Sequence, residues 1–182
     1  MCGYSLMKIS AYIAVSLDGF IARKNGNIDW LTEIDNLDSF EDYGYDEFYQ
    51  TIDCLIMGSN SFKSIIKYEP WPYADKKVFV LSHAINEVAP QDVDKYEIYS
   101  GSISALITKL QKQGYDHISI DGGQTIQSFI NEGLINELTI TTIPILLGEG
   151  IPLFGKVAND IKLKLVESKA YENGYVKNSY QF

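Results

Sequence analysis

The stretch HISIDGGQTIQSFINEGLINELTITTIPILL, residues 117–147, decides the fold. Its apolar run at 118–120 is too short for a helix and suits a buried strand. Gly122 and Gly123 follow at once. Ile126, Phe129 and Ile130 then fall at i, i+3 and i+4, the inner face of a helix. Gly133 ends that helix as a C′ residue, with Leu134 folding back as its hydrophobic contact. A second strand covers 138–143. Strand, glycine turn, helix, strand is a parallel crossover whose glycines sit at the carboxyl end of the first strand, where open α/β sheets bind ligands. Glycines there admit a ligand to the backbone, and the helix behind them presents unpaired N–H groups and a positive dipole end. A pyrophosphate suits such a site. A tight strand-to-helix turn needs the same glycines and is the competing reading.

Outward from this stretch, the composition bounds the class. The 182 residues form a single expected domain, 1–182, with 46% hydrophobic and 21% charged residues, the balance of a soluble globular protein. No apolar run reaches membrane-spanning length, and MCGYSLMKIS has the features of no secretory signal. A cytoplasmic protein is therefore expected, with residues 1–6 as a disordered extension before Met7. Cys2 and Cys54 follow no pattern, so neither a disulfide framework nor a metal site is expected. The net charge of −9 and pI near 4.6 exclude a general nucleic-acid surface. Among the basic residues only Arg23 is an arginine, so bidentate grip on a phosphate or carboxylate has one candidate fork.

Upstream, residues 9–15 alternate, with Ile9, Ala11, Ile13 and Val15 on one face, as a central strand. SLDGFIARKNGNIDWL (16–31) is a loop rich in turn formers whose Phe20, Ile21 and Trp30 fold over something, either the loop's own domain or a ligand. Residues 33–47 are acidic, with Glu33, Asp35, Asp38, Glu41, Asp42, Asp46 and Glu47, and no Lys or Arg lies between Lys24 and Lys63. Two readings stand: a solvated face, or one carboxylate turned into the site. Tyr45, Phe48, Tyr49 and Ile52 at helical spacing predict a short helix ending near Ile52. A second strand at 53–58 ends in Gly58, with Ser59 as helix cap and Phe62, Ile65 and Ile66 on the inner face. A third covers 77–81, followed by Ser82 and His83, and a fourth 96–99. Ser102 caps a helix that Gly114 stops. Downstream, 147–154 reads as a loop without regular structure. Residues 162–171 and 175–182 flank an Asn173-Gly174 turn as an antiparallel hairpin. The expected fold is α/β and three-layered, with a mixed, mainly parallel sheet and helices on both faces.

Several motifs then agree with one family. YIAVSLDGFIA (12–22), DWL (29–31), DCLIMGSNSF (53–62), VFVLS (78–82), ISIDGGQTI (118–126) and GLINELTITTIPILLGEGIPLF (133–154) resemble, in order, the dihydrofolate reductase-like fold. Within it they resemble the C-terminal reductase domain of the bifunctional riboflavin-biosynthesis deaminase–reductase. The resemblance implies an NADPH-dependent reductase of a small polar heterocyclic or carbonyl-type substrate, akin to 5-amino-6-(5-phosphoribosylamino)uracil reductase. It places Ala14 at the nicotinamide carboxamide, Asp18 and Gly19 in the loop over the ring, and Trp30 on the substrate side. Gly58, Ser59, Ser61, Leu81 and Ser82 then face the adenosine half, and Asp121, Gly122, Gly123, Gln124 and Thr125 cradle the pyrophosphate. Asp18, Trp30 and Glu47 are the candidate catalytic residues.

Two departures bear on cofactor and substrate. The family carries a basic residue soon after the Gly of the second strand and another after the Ser of the third; this chain has Asn60 and His83 there. NADPH is the expected cofactor and NADH is not excluded, with Lys63 and Lys76 available to compensate. The acidic, arginine-poor flank argues against folate, and less strongly against a phosphorylated ribosyl substrate, which Arg23 or Lys24 would have to reach. The alternative function is a non-catalytic nucleotide-binding module that kept the fold. A homodimer is expected, because the resembling domains form one and because Ile145, Leu146, Leu147, Ile151, Leu153 and Phe154 crowd one loop.

Overall fold

The computed structural model describes residues 7–32, 41–73, 75–85 and 92–182. The extension at 1–6, with Cys2, and the acids Glu33, Asp35 and Asp38 lie outside the described residues. The elements run β1 (Lys8–Ser16), β2 (Phe20–Ala22), α1 (Asp29–Thr32), α2 (Tyr45–Thr51), β3 (Cys54–Gly58), α3 (Ser59–Ile65), β4 (Lys77–Leu81) and β5 (Tyr96–Tyr99). They continue with α4 (Ile103–Lys112), β6 (His117–Asp121), α5 (Gly123–Asn131), β7 (Glu137–Ile143), β8 (Ile151–Pro152), β9 (Lys164–Ala170) and β10 (Val176–Gln181).

Eight strands form one sheet in the order β5-β4-β3-β6-β1-β7-β10-β9, parallel except for β10, which runs antiparallel to both β7 and β9. The central strands β3 and β6 are nearly continuous runs of buried residues, as a parallel sheet covered on both faces requires. One face carries Ile9, Ala11, Val15, Ile56, Ile118 and Ile120 and packs on α4 and α5 through Leu106, Leu110, Ile126 and Phe129. On the other, Leu55, Met57, Val78 and Val80 pack with Ile52, Phe62, Trp71 and Tyr96. A third, smaller core joins Trp30, Ile143 and Tyr175. The chain is thus a three-layer domain with a C-terminal antiparallel hairpin, as the patterning predicts.

Helix ends follow local rules. The Ser102 hydroxyl accepts from the Ala105 N–H at 3.3 Å. At the end of α5, Leu134 N–H donates to the Phe129 carbonyl and Gly133 N–H to that of Ile130, with Gly133 at φ 65°. This is the Schellman arrangement.

Three expectations are corrected. Ser59 does not cap α3: Gly58 occupies that position and Ser59 is the first helical residue. The 147–154 segment is not wholly irregular, since Ile151–Pro152 pairs with β2 as a two-stranded ribbon. Nor are its apolar side chains collectively exposed. Leu153 is fully buried in the main core and Ile145 and Leu147 pack on the third, leaving Leu146 and Phe154 as the large exposed ones.

One register detail opens the site. β1 pairs with β6 only over Lys8, Ile9 and Ser10, but with β7 from Ser10 to Ser16. Past Ser10 and Ser119 the two parallel strands part, and the face of β1 opposite the main core, with Tyr12 and Ala14, borders the gap.

Candidate active site

The glycine turn and the second strand–glycine–helix junction lie side by side because β3 and β6 are paired, Met57 against Asp121. A Cβ on Gly58 would stand 3.2 Å from Thr125 Oγ1, and one on Gly122 would run into Ser61 Oγ. Gly122 adopts φ 88°, ψ 137°, a conformation that L side chains rarely adopt. Gly123 begins α5 and is buried; a Cβ there would meet Ile21 Cδ1 at 2.9 Å and the Pro152 carbonyl at 3.0 Å. Gln124 is exposed beside it, while Thr125 is buried facing Gly58. Ser59 and Leu81 are half-buried at the same carboxyl edge of the sheet. The Ser82 hydroxyl accepts from the N–H groups of Ala84 and Ile85, so it holds its own turn. Asn60 and His83 are exposed. The cradle residues predicted from sequence are therefore brought together on adjacent strand ends.

A two-layered cover closes over this edge. The Asp18 carboxylate accepts from Ser16 Oγ at 2.6 Å and from the N–H groups of Gly148 and Leu147 at 2.7 and 3.2 Å. Those bonds, led by the one from Ser16, hold its pKa below the usual carboxylate range. Gly19, at φ 84°, accepts at its carbonyl from Leu153 N–H. Lys24 pairs with Glu149 at 2.6 Å, and Gln127 Nε2 donates to the carbonyls of Pro152 and Leu153. The loop after β1 and the loop before β8 thus form one clasp resting on Gly123. The lone arginine is committed within it: Arg23 Nε donates to both Asp29 oxygens, at 2.8 and 2.9 Å.

The opposite wall is aromatic. Tyr12 stands against Phe48 at 5.0 Å and Tyr45 at 5.7 Å between ring centroids, and its hydroxyl donates to the Tyr43 carbonyl at 2.5 Å. Burial first, and then the nearby charge of Asp121, raises the pKa values of Tyr73 and Tyr45, that of Tyr45 to about 12. Asp121 itself is pushed up from the ordinary carboxylate value by burial, against the opposing hydrogen bond from Gly122. Two polar atoms beside Ala14 are buried without a hydrogen-bond partner among the described residues: Trp30 Nε1 and Thr141 Oγ1. Trp30 packs in the small core that Ala14 borders, and Thr141 is the β7 register partner of Ala14. Glu47, and Asp46 beside it, are exposed on α2.

Sequence reasoning missed Tyr12, Tyr73 and Thr141, and it took Tyr45 and Phe48 for an ordinary helix face. The one available signal was Tyr12 itself, a large polar aromatic on the face of the first strand opposite Ile9, Ala11, Ile13 and Val15. Thr141 had no such signal, because its missing partner is visible only in three dimensions.

A crevice at parting parallel strands, a glycine cradle, a clasp and an aromatic wall together define a dihydrofolate reductase-like domain. The chain belongs to the RibD C-terminal domain family, which it matches over residues 7–177. Uncharacterized protein YwjB of Bacillus subtilis is 38% identical over 166 residues, covering 90% of this chain and 92% of that one. Uncharacterized protein YyaP of the same organism is 33% identical over 179 residues, covering 93% and 92%. A crystal structure from Shewanella sp. PV-4, assigned provisionally to riboflavin biosynthesis, superposes with a TM-score of 0.89 at 36% identity, covering 96% of this chain and 98% of that one. Dihydrofolate reductase from Enterococcus faecalis, complexed with NADP(H), shares the fold at a TM-score of 0.65 and 15% identity, covering 96% and 95%.

Proposed function

We propose that this chain is a nicotinamide-dependent reductase of a small polar heterocyclic or carbonyl-type compound, with NADPH as the cofactor and NADH as the alternative. The observation that carries the reading is a pair of buried polar atoms unpartnered among the described residues, Trp30 Nε1 in the small core that Ala14 borders and Thr141 Oγ1 on the neighbouring strand β7. Buried polar groups are nearly always satisfied, and orphans call for a ligand or an ordered water. Thr141 lies on β7, across β1 from the place where β1 and β6 part, and the glycine cradle lies beyond that gap at the ends of β6 and β3. The donor set fits a dinucleotide: backbone approach at Gly58 and Gly122, hydroxyls at Ser59 and Ser61, and the N–H groups opening α5 at Gly123, Gln124 and Thr125. Leu81 and Ser82 would flank the adenosine half, and Ala14 the carboxamide. Asp18 and Gly19 hold the covering loop in place, and Trp30 borders the substrate side.

When bound, the reduced cofactor supplies a hydride; the chain's work is to position, dry and protonate. Proton supply is assigned to Asp121. Its raised pKa keeps a carboxyl proton available at higher pH, and Tyr73 and Tyr45 lie within reach of its charge. Glu47, exposed on α2, has no such setting. The proposal extends to a cytoplasmic homodimer, since Leu146 and Phe154 leave 68% and 50% of their surface exposed near the clasp. Light scattering checks this; a mass near the 20.5 kDa of one chain at micromolar concentration refutes it.

The test is titration with NADPH and NADH, followed by loss of the reduced-nicotinamide absorbance across a panel of heterocycles and carbonyl compounds. Micromolar binding with turnover of at least one compound is expected. No binding of either cofactor at millimolar concentration refutes the reading. Binding without turnover across the panel returns the protein to a nucleotide-binding module.

A further inference from the structure

We propose that the substrate accepted at this site is a planar heterocycle carrying neither phosphate nor carboxylate. This rests on the reductase reading above and narrows it.

The charges set around the aromatic wall carry the inference. Glu41 accepts from Tyr43 N–H, and Asp42 from the N–H groups of Gly44 and Asp46, so both carboxylates are fixed beside the turn that receives the Tyr12 hydroxyl. Glu167 on β9 also lies near this hydroxyl: burial first, then the charges of Tyr171, Asp42, Glu167 and Glu41, raise the pKa of Tyr12. At the other end, Asp75 accepts from the Tyr49 hydroxyl at 2.7 Å, and Asp46 acts on Tyr45.

Three lysines stand near the wall: two are matched by carboxylates, and the third, Lys169, lies on the exposed strand β9 opposite Lys177, with its Nζ 4.4 Å over the Tyr171 ring. Lys177, the β10 register partner of Thr141, keeps 14% of its side chain exposed and lies 3.5 Å from Glu167, with Asp42 also feeling its charge. Lys76 lies 3.6 Å from Asp75 and over the Tyr49 ring. Among the described residues, these three cations face five carboxylates: Glu41, Asp42, Asp46, Asp75 and Glu167. The sequence between Lys24 and Lys63 adds only further acids.

That a ligand belongs here is indicated independently by Thr141. Its side chain is 4% exposed, its hydroxyl is unpartnered among the described residues, and it shares the sheet face of Ala14 and Lys177. The site thus offers flat aromatic faces and a neutral hydrogen-bonding group inside a negative rim. An anionic tail entering past that rim meets, among the described residues, more carboxylates than cations, and net repulsion.

The experiment uses full-length protein saturated with NADP+, which does not fluoresce, and two fluorescent probe pairs. 6-Methylpterin is compared with pterin-6-carboxylate, and riboflavin with FMN. In about 10 mM salt, where charges act over roughly 30 Å before they are screened, the uncharged member of at least one pair should bind at least tenfold tighter. The gap should shrink in about 150 mM salt, where the screening length is about 8 Å. Glu167→Gln, on an exposed edge strand, frees Lys177 and should narrow the gap through tighter binding of the anionic probe; Lys177→Met should widen it. Equal or tighter binding of the anionic member in both pairs overturns the proposal, as does no binding by either member of either pair. Failure of NADP+ itself to bind refutes the reductase reading instead, and is scored before the probes are added.

Discussion

The two walls of the cleft are made of different material. The cradle wall is backbone: Gly58, Gly122 and Gly123 bring two strand–helix junctions together, and its tolerances are steric. The facing wall is side chain: Tyr12, Tyr45, Phe48 and Tyr73 sit among carboxylates, and its tolerances are electrostatic. A backbone wall can suit any nucleotide that fits its curve, whereas a side-chain wall can be rewritten to choose a substrate. One fold can carry different functions through the sites built on it.

The largest break in that comparison should come at Gly122. With φ 88° and Ser61 Oγ against any Cβ, Gly122→Ala is expected to cost about 1–3 kcal/mol of stability from backbone strain, with loss of cofactor binding. Thermal denaturation and NADPH titration check both effects. Retention of full stability would mean that the turn relaxes and that the cradle is not sterically set.

Gly123→Ala should weaken cofactor binding at least tenfold, or about 1.4 kcal/mol. Its Cβ would press on the Pro152 carbonyl and Ile21, so the clasp should loosen as well. Proteolysis within the loop at 147–154 should quicken in parallel. Unchanged affinity in the variant would assign Gly123 to turn geometry alone.

On the side-chain wall the sign reverses. Thr141→Val removes a buried unpartnered hydroxyl and should stabilise the fold by about 1 kcal/mol, the lower end of the desolvation cost of such a group. Turnover should fall while cofactor affinity holds. Asp121→Asn should likewise raise the melting temperature at neutral pH. A carboxyl whose folded pKa lies above its ordinary value of 3.8 favours folding below that value, and the benefit is lost as pH rises through the folded pKa. A loss of stability in either variant would show that the group has a structural partner in solution.

The smallest effect is a pH dependence at the base of the wall. Neutral His117 donates from Nδ1 to the Thr51 carbonyl at 3.0 Å and accepts at Nε2 from Ser10 at 2.7 Å, with its ring edge on Phe48. Burial first, then Lys8, lowers its pKa from 6.5, outweighing Thr51, Glu137 and Asp53. Its contribution to stability is therefore present above pH 6.5 and lost as pH falls from there through the lower folded value. His117→Gln should flatten that part of the stability curve. An unchanged slope would place the titration elsewhere.

The sequence by itself determined the frame of this protein. Runs such as CLIMG and the ISI of β6 must be buried strands, the periodicity of 126–130 must be a helix, and positive-φ turns at Gly122, Gly133 and Gly174 demand glycine or its few substitutes. These are local rules, fixed within a few residues, and the cradle was legible because it consists of two of them. Tertiary structure alone decided what faces what. The spacing of Tyr45 and Phe48 marked a buried face but not Tyr12 as its partner 33 and 36 residues away, nor Tyr73 and Asp121 beside it. Ile151–Pro152 pairs with β2 because the clasp brings it there, not because two residues have a strand pattern. Above all, an unpartnered hydroxyl such as that of Thr141 is a property of its surroundings. Hydrogen bonding and electrostatics depend on distances across the sheet, and a one-dimensional pattern does not contain them.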